Sequence, residues 1–302
     1  MLKKRLLKKT IYTLFILIVV VTILTIDNKN IIRTNLEIET ISYENNNYIY
    51  LLNDNNLLVK SPVSIKSKKI EEKVKEIISL LTKGNNNIPN GLYNYLPKEI
   101  KIKELSINDD TLNINFNKTF NNISNDDIDI VVTGLVYSIL EIDQIKNINI
   151  LVEDNYLKGY EKPLDKSIGI NNEYLFHNRK DIEKVVVYYT ELINENTYYI
   201  PVTKYIDNND SKMKVIIEEL KNNSLDTISY IDKRLELIDY REEANVLFLN
   251  FNDYLLDDNK EVENTNLNVI AYSVFDNYDV NMVMFEINNK KLTNIKRRKF
   301  LD

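Results

Sequence analysis

At 302 residues the chain is long enough for two domains of about 100 residues each, near the usual size of a single core. It contains no cysteine, which excludes disulfides, a lipid-modified N-terminal cysteine and a thiolate zinc site. The balance of 45 acidic against 39 basic residues, net −6, speaks against a nucleic-acid partner.

In chain order, residues 1–9 form a basic segment: Lys3, Lys4, Arg5, Lys8 and Lys9 precede an uncharged, mostly Ile/Leu/Val/Phe run from Thr10 to Ile26. Residues 10–26 are predicted to be a transmembrane anchor. The cations before the run and Asp27 after it place the N-terminus in the cytoplasm and everything downstream outside the cell. Leu24-Thr-Ile-Asp27 offers no small-x-small cleavage site, so the reading is an uncleaved anchor rather than a signal peptide. With the five N-terminal cations set aside, 34 of the 39 basic residues face 45 acidic ones. The resulting −11 disfavours docking on anionic lipid. Residues 27–47 read as a juxtamembrane linker.

Residues 48–157 read as one domain and 185–292 as a second, because the same pattern is written twice. From Ile100 to Val152, adding 135 to the residue number lands on an equivalent residue without a gap. Leu112-Asn-Ile-Asn-Phe-Asn117 falls on Leu247-Phe-Leu-Asn-Phe-Asn252, and Leu135-Val-Tyr-Ser-Ile-Leu140 on Ile270-Ala-Tyr-Ser-Val-Phe275. Upstream the offset is 139, matching Pro62 with Pro201 and Val74, Ile77, Ile78, Leu81 with Met213, Ile216, Ile217, Leu220. The loop Gly84–Lys98 is therefore four residues longer than its counterpart.

Each unit opens with a hairpin: Tyr48–Leu52 and Leu57–Ile65 around the turn Asn53–Asn56, then Val185–Thr190 and Tyr198–Tyr205 around Asn194–Asn196. A helix follows with Ile70, Val74, Ile77 and Leu81 in one stripe, Ser67 as its predicted N-cap and Gly84 as its stop. Asp109-Asp110 reads as a turn, and Leu112, Ile114 and Phe116 alternate with asparagines as in a half-buried strand. A second helix starts near Asn125, with Ser124 and Asp127 as a capping box, and a last strand spans Ile145–Val152. The predicted fold is α+β: β-β-α-β-β-α-β twice, each unit a small sheet with two helices on one face. Residues 158–184 read as a linker and 293–302 as a basic tail.

These elements resemble the GerMN domain, the module of bacterial sporulation and spore-germination proteins. Leu80-Leu-Thr-Lys-Gly84, Leu96-Pro97 and Leu112–Phe120 are similar to that family's Leu-Leu-x-Gly-Pro, Pro and Val-Asp-Leu-Ser stretches. The resemblance covers the whole ectodomain as a tandem pair. Where the family has Pro after the Gly this chain has Asn85. Its Asp is Asn115 and Asn250 here, and Lys221-Asn222-Asn223 replaces the Gly-Pro in the second unit. The resemblance implies a non-enzymatic envelope component, similar in fold to the ring-building domains of a channel-like sporulation complex. Its implied partners are other envelope or sporulation-complex proteins, or further copies of itself.

The residues themselves carry no catalytic pattern. His177, the single histidine, falls in the linker, so no histidine triad has its partners. Asp109-Asp110, Asp126-Asp127 and Asp257-Asp258 sit at predicted turns and helix starts, where Asp serves as a cap rather than as a glycosidase pair. No cofactor, metal or small-molecule substrate is inferred. A wall-binding or wall-active protein unrelated to sporulation is the alternative reading, with the tyrosines of the strands as its candidate contacts.

Comparison of the copies singles out one surface. Inward positions keep their character, but Lys103, Thr111, Asn113, Asn147 and Asn149 become Ile238, Val246, Phe248, Met282 and Met284 in the second unit. Five polar residues become apolar on the predicted outer face. Either this face packs on the first unit or the 158–184 linker, or it docks another protein.

Overall fold

The structure, a computed structural model, describes residues 47–173, 182–207, 211–257 and 259–297. The predicted anchor at 10–26, residues 27–46 and His177 lie outside the described residues. Among those described, no helix is long and apolar enough to cross a membrane.

The first repeat comprises β1 (Asn47–Leu52), β2 (Leu58–Val63), α1 (Ile70–Leu81), β3 (Ile102–Asn108), β4 (Thr111–Phe116), α2 (Ile128–Ile139), β5 (Asn147–Val152) and the short β6 (Asn155–Tyr156). The second comprises β7 (Ile182–Ile193), β8 (Asn196–Asp207), α3 (Lys212–Leu220), β9 (Leu237–Glu243), β10 (Val246–Phe251), α4 (Asn264–Asn277), β11 (Met282–Ile287) and β12 (Lys290–Lys296). Residues 293–296 thus belong to a seven-residue strand rather than to a tail.

Local chemistry explains most of these boundaries. Asn53 Oδ1 accepts from the backbone N–H of Asn55 and Leu57, closing the first hairpin. α2 begins at Ile128 rather than near Asn125, with no side-chain cap; Ser124 and Asp127 instead close the turn ahead of it, the Asp127 N–H donating to Ser124 Oγ and that hydroxyl to the Asp127 carboxylate at 2.7 Å. α1 departs from expectation. It begins at Ile70 with no side-chain cap, and Glu76 instead reaches back to accept from the N–H groups of Lys66 and Ser67.

In each repeat a parallel pair, β4 with β5 or β10 with β11, is joined through its crossover helix and flanked by β3 or β9. The buried ladders correspond position for position. Leu112 faces Ile148 and Ile114 faces Ile150, while Leu247 faces Val283 and Leu249 faces Phe285.

The expected single sheet per repeat does not form. Each opening hairpin leaves its own repeat's sheet, and the two join in one four-stranded sheet ordered β1-β2-β8-β7. Strand periodicity reports which residues are inward, not which strand lies alongside, so the sequence pattern could not assign these hairpins.

The register also revises the upstream alignment. The Tyr50 N–H donates to Ser138 Oγ of α2, and the Tyr188 N–H donates to Ser273 Oγ of α4. Tyr50 and Tyr188 are therefore counterparts. Tyr50 faces Lys60 across its hairpin, whereas Tyr188 faces Pro201. Pro201 thus occupies the position of Lys60, and the two prolines are not equivalent.

The join between β2 and β8 is thin: Lys60 opposite Tyr199 is its one paired position. Pro201 has no N–H to offer a neighbouring strand. Asn171 fills the gap. Its Nδ2 donates to the carbonyls of Leu58 and Pro201 at 2.8 Å each, and its Oδ1 accepts from the Leu58 N–H at 2.9 Å. The 158–184 segment therefore contributes structure as well as connection. Leu164 pairs with Ile148 at the edge of β5, and the Glu173 N–H donates to the Thr203 carbonyl. Ser138 and Ser273, by taking strand-edge amides, blunt both outer edges of the shared sheet.

Candidate functional site

Two places draw functional side chains together. The first is a cleft of about 680 Å³ between the repeats, lined by Tyr48, Lys60, Glu141, Lys166, Tyr188 and Asp276 among others. Glu141 follows α2 and Asp276 lies near the end of α4, 135 residues apart, so they are the same acid in each copy. Lys60 comes from β2, and Lys166 from a short 3-10 turn at Lys166–Ile168.

Lys60 Nζ lies 3.1 Å from Glu141 Oε2, and Lys166 Nζ lies 3.3 Å from Glu141 Oε1 and 3.0 Å from Asp276 Oδ1. The Tyr50 hydroxyl donates to Glu141 at 3.1 Å, and the Tyr188 hydroxyl donates to Asp276 at 2.6 Å. The two hydroxyl oxygens are 3.2 Å apart. Tyr50, Tyr188, Asp276, Lys166 and Glu141 thus close a ring of polar contacts that includes both repeats. Lys60 sits among four tyrosine rings, 5.0 Å from the centroid of Tyr48 and 5.1 Å from that of Tyr272.

Burial sets the electrostatics. It would push the carboxyls of Glu141 and Asp276 up, but Lys60 and Lys166 outweigh it and hold both below the usual carboxylate range. Burial first, and then the neighbouring carboxylates, pushes the Tyr50 and Tyr188 hydroxyls well above their ordinary value. Lys166 is held above its own by Asp276 and Glu141 against the opposing effect of burial. The groups at the centre are two cations and two anions, each already satisfied. This is the chemistry of a joint rather than of a poised acid or base.

The second place is the outer face of the β9–β12 sheet. Val246 faces Met282 and Phe248 faces Met284 in the parallel ladder, giving a compact apolar square whose members are half-exposed. Contact between the repeats runs instead through β2, β8 and the charged cleft. Ile238, expected in the same set, lies where the β9–β10 register shifts between Asp239 and Leu237, and is 51% exposed. The bulge removes it from the ladder. Arg241, opposite Phe248, holds Glu286 with two hydrogen bonds of 2.8 and 3.0 Å and places its guanidinium 4.2 Å from the centre of the Phe248 ring.

In the first repeat the corresponding surface is polar and bonded largely within itself: Asn149 donates to Asn113 at 2.9 Å, and Asn115 donates to Asp154. The acid pairs do local work too, Asp109 at a left-handed turn position and Asp257 accepting from the N–H groups of Asn259 and Glu261. Among the described residues no group of three or more His, Asp or Glu is placed to hold a metal.

The patch was legible from comparing the copies, because it is a difference between them. The cleft was not found that way, although one signal was available. Glu141 and Asp276 are the acidic positions directly after matching buried helix stripes, under the same 135-residue offset. Lys60 and Lys166 give no sign, since Pro201 stands in the position of Lys60 and Lys166 falls in the segment between the repeats.

Comparison with known proteins agrees on both copies. The family described as Germane, sporulation and spore germination, matches residues 48–158 and 186–293. The chain is 24% identical over 278 residues to the spore germination protein GerM of Bacillus subtilis strain 168, covering 84% of this chain and 75% of that one. The solved tandem GerMN domains of GerM from B. subtilis superpose with a TM-score of 0.75 at 22% identity, over 84% of this chain and 96% of that one, a likeness of fold. The isolated first GerMN domain of GerM covers 40% of this chain with a TM-score of 0.36.

Proposed function

The chain belongs to the Germane family of sporulation and spore germination proteins, and from that premise we propose that it is a non-enzymatic assembly module held outside the cell by a membrane anchor at residues 10–26. Its role is in sporulation or germination. Its partners are other envelope proteins of that process, met through the outer face of the second repeat.

The observation that carries the reading is how the double repeat is used. The buried charges of the cleft are spent on joining the two copies, while the surface that differs between them is left half-exposed and apolar. Two repeats joined through buried charges, with one distinctive face, suit a scaffold, which must hold partners in fixed relation.

Deleting the gene in its host is the direct test. The expected result is fewer heat-resistant spores or slower germination, restored by the intact chain. Normal spores that germinate at the normal rate would overturn the role. For topology, protease added to protoplasts should remove everything beyond about Asp27. A protected second repeat, or a soluble mature form beginning near residue 27, would overturn the anchor. Release of muropeptides from purified peptidoglycan would replace the scaffold with a wall-active enzyme.

A further inference from the structure

The chemistry of the second repeat's outer face specifies a partner more closely than apolar docking does, and that specification rests on the scaffold role. Three observations meet there. Val246, Phe248, Met282 and Met284 form a contiguous half-exposed square. On its β12 side stand the exposed Lys291 and Lys296, opposite Glu286 and Met282 in the ladder, and neither takes part in an ion pair among the described residues. Between them Asn294, opposite Met284 and so on the same face, is 5% exposed and has an Oδ1 without a hydrogen-bond partner.

The opposite rim differs. There Arg241 engages Glu243 on its own strand and reaches across to Glu286, one cation for two carboxylates, so that side keeps a net negative charge. Left open are an apolar square and two exposed cations along one border, of which Lys291 lies 5.9 Å from the centre of the Phe248 ring. The first repeat offers no equivalent. Its Asn149 Oδ1 is also unpartnered, but it lies among polar side chains, and its fourth strand is the two-residue β6 instead of the seven-residue β12.

We infer that this face binds an acidic, apolar-bearing segment of another protein, whose apolar side chains cover Phe248, Met282 and Met284 while its carboxylates meet Lys291 and Lys296. A protein segment, which can place its carboxylates on the β12 side alone, fits better than an anionic lipid surface. A uniform anionic surface would also meet Glu243, which lies opposite Val246 at the β9 edge of the same face.

The four methionines supply the reporter. Met282 and Met284 lie in the face, Met213 is fully buried in the same repeat, and Met1 is the first residue of the chain. The full-length chain, labelled at methionine methyls and held in nanodiscs of zwitterionic lipid, is titrated with a twelve-residue peptide alternating Leu and Glu. Saturable shifts of the Met282 and Met284 methyls, with Met213 and Met1 unmoved, are expected. Lys291→Glu combined with Lys296→Glu should weaken binding by about tenfold or more. Phe248→Ser should weaken it further. Because the two lysines are exposed, their variant keeps its fold, which an unmoved Met213 signal verifies, and it decides the matter if Phe248→Ser unfolds.

Equal response to a Leu/Lys peptide, or no shift at Met282 and Met284 with the Leu/Glu peptide, would overturn the inference. Saturable shifts with phosphatidylglycerol vesicles but not with the peptide would overturn it in favour of a lipid surface. A failed titration beside a sporulation defect in the deletion strain removes this partner and leaves the family role standing.

Discussion

The two repeats solve one packing problem in opposite ways. In the first, α2 carries Gly134, and Tyr95 is buried against it; a Cβ at 134 would lie 2.5 Å from the tyrosine hydroxyl and 2.9 Å from Leu58. In the second, the same helix position is Val269, and the counterpart tyrosine, Tyr230, stands 59% exposed. The residues change together, since a helix with no side chain at that point admits an aromatic ring and a valine displaces it. Equivalent backbones thus tolerate different interiors at this point.

The largest expected break in this comparison is at the joint, where the copies are also unequal. Glu141 meets two lysines and Tyr50, whereas Asp276 meets Lys166 and Tyr188. Glu141→Ala should destabilise the protein by about 3–5 kcal/mol, because it strands buried cations. Asp276→Ala should cost less. Urea unfolding measures both, and equal losses would mean that Lys60 gains nothing from Glu141.

Next comes Asn171→Ala, expected to cost about 2–3 kcal/mol. It leaves the Leu58 N–H and two carbonyls without their bridge, and it places alanine at φ 44°, where asparagine is better tolerated. Hydrogen exchange should accelerate at Leu58 and nearby in β2 and β8 ahead of β4 and β10. Uniform acceleration would show that the shared sheet does not depend on the bridge.

Gly134→Val should cost about 1–3 kcal/mol by overpacking. Adding Tyr95→Ala to it should recover part of the loss, recreating the arrangement of the second repeat. No recovery in the double variant would break the proposed exchange between the two positions.

Acid provides a subtler test. Because Glu141 and Asp276 titrate below their unfolded values, their contribution is fully present above the ordinary carboxylate range and is lost as pH falls through the lower folded values. The urea midpoint should therefore drop below about pH 4, and Glu141→Gln with Asp276→Asn should flatten that limb relative to their own midpoint at pH 7. An unchanged acid limb would place the acid sensitivity elsewhere in the molecule.

The smallest effect on stability belongs to the outer faces. Phe248→Lys with Met284→Lys should change the unfolding free energy by about 0.5 kcal/mol or less while removing partner binding. Asn149→Lys should cost more in the first repeat than either change does in the second, because Asn149 is buried and donates to Asn113. If the Phe248 and Met284 pair proves the more damaging, those residues support the repeat's own core.

The duplication, the strands and helices and the inward ladder residues were all readable in the chain. Each rests on periodicity along a single element: Leu112, Ile114 and Phe116 must share a face whatever lies opposite. The apolar square was readable for the same reason, since it required only that corresponding strands be compared. The shared sheet, the bulge that sets Ile238 aside and the ring of Tyr50, Tyr188, Asp276, Lys166 and Glu141 were decided by tertiary structure alone. Those features join residues as far apart as Lys60 and Tyr199 or Tyr50 and Tyr188. The pattern along one strand records which way a side chain points, but it holds no record of which distant strand or charge comes to meet it.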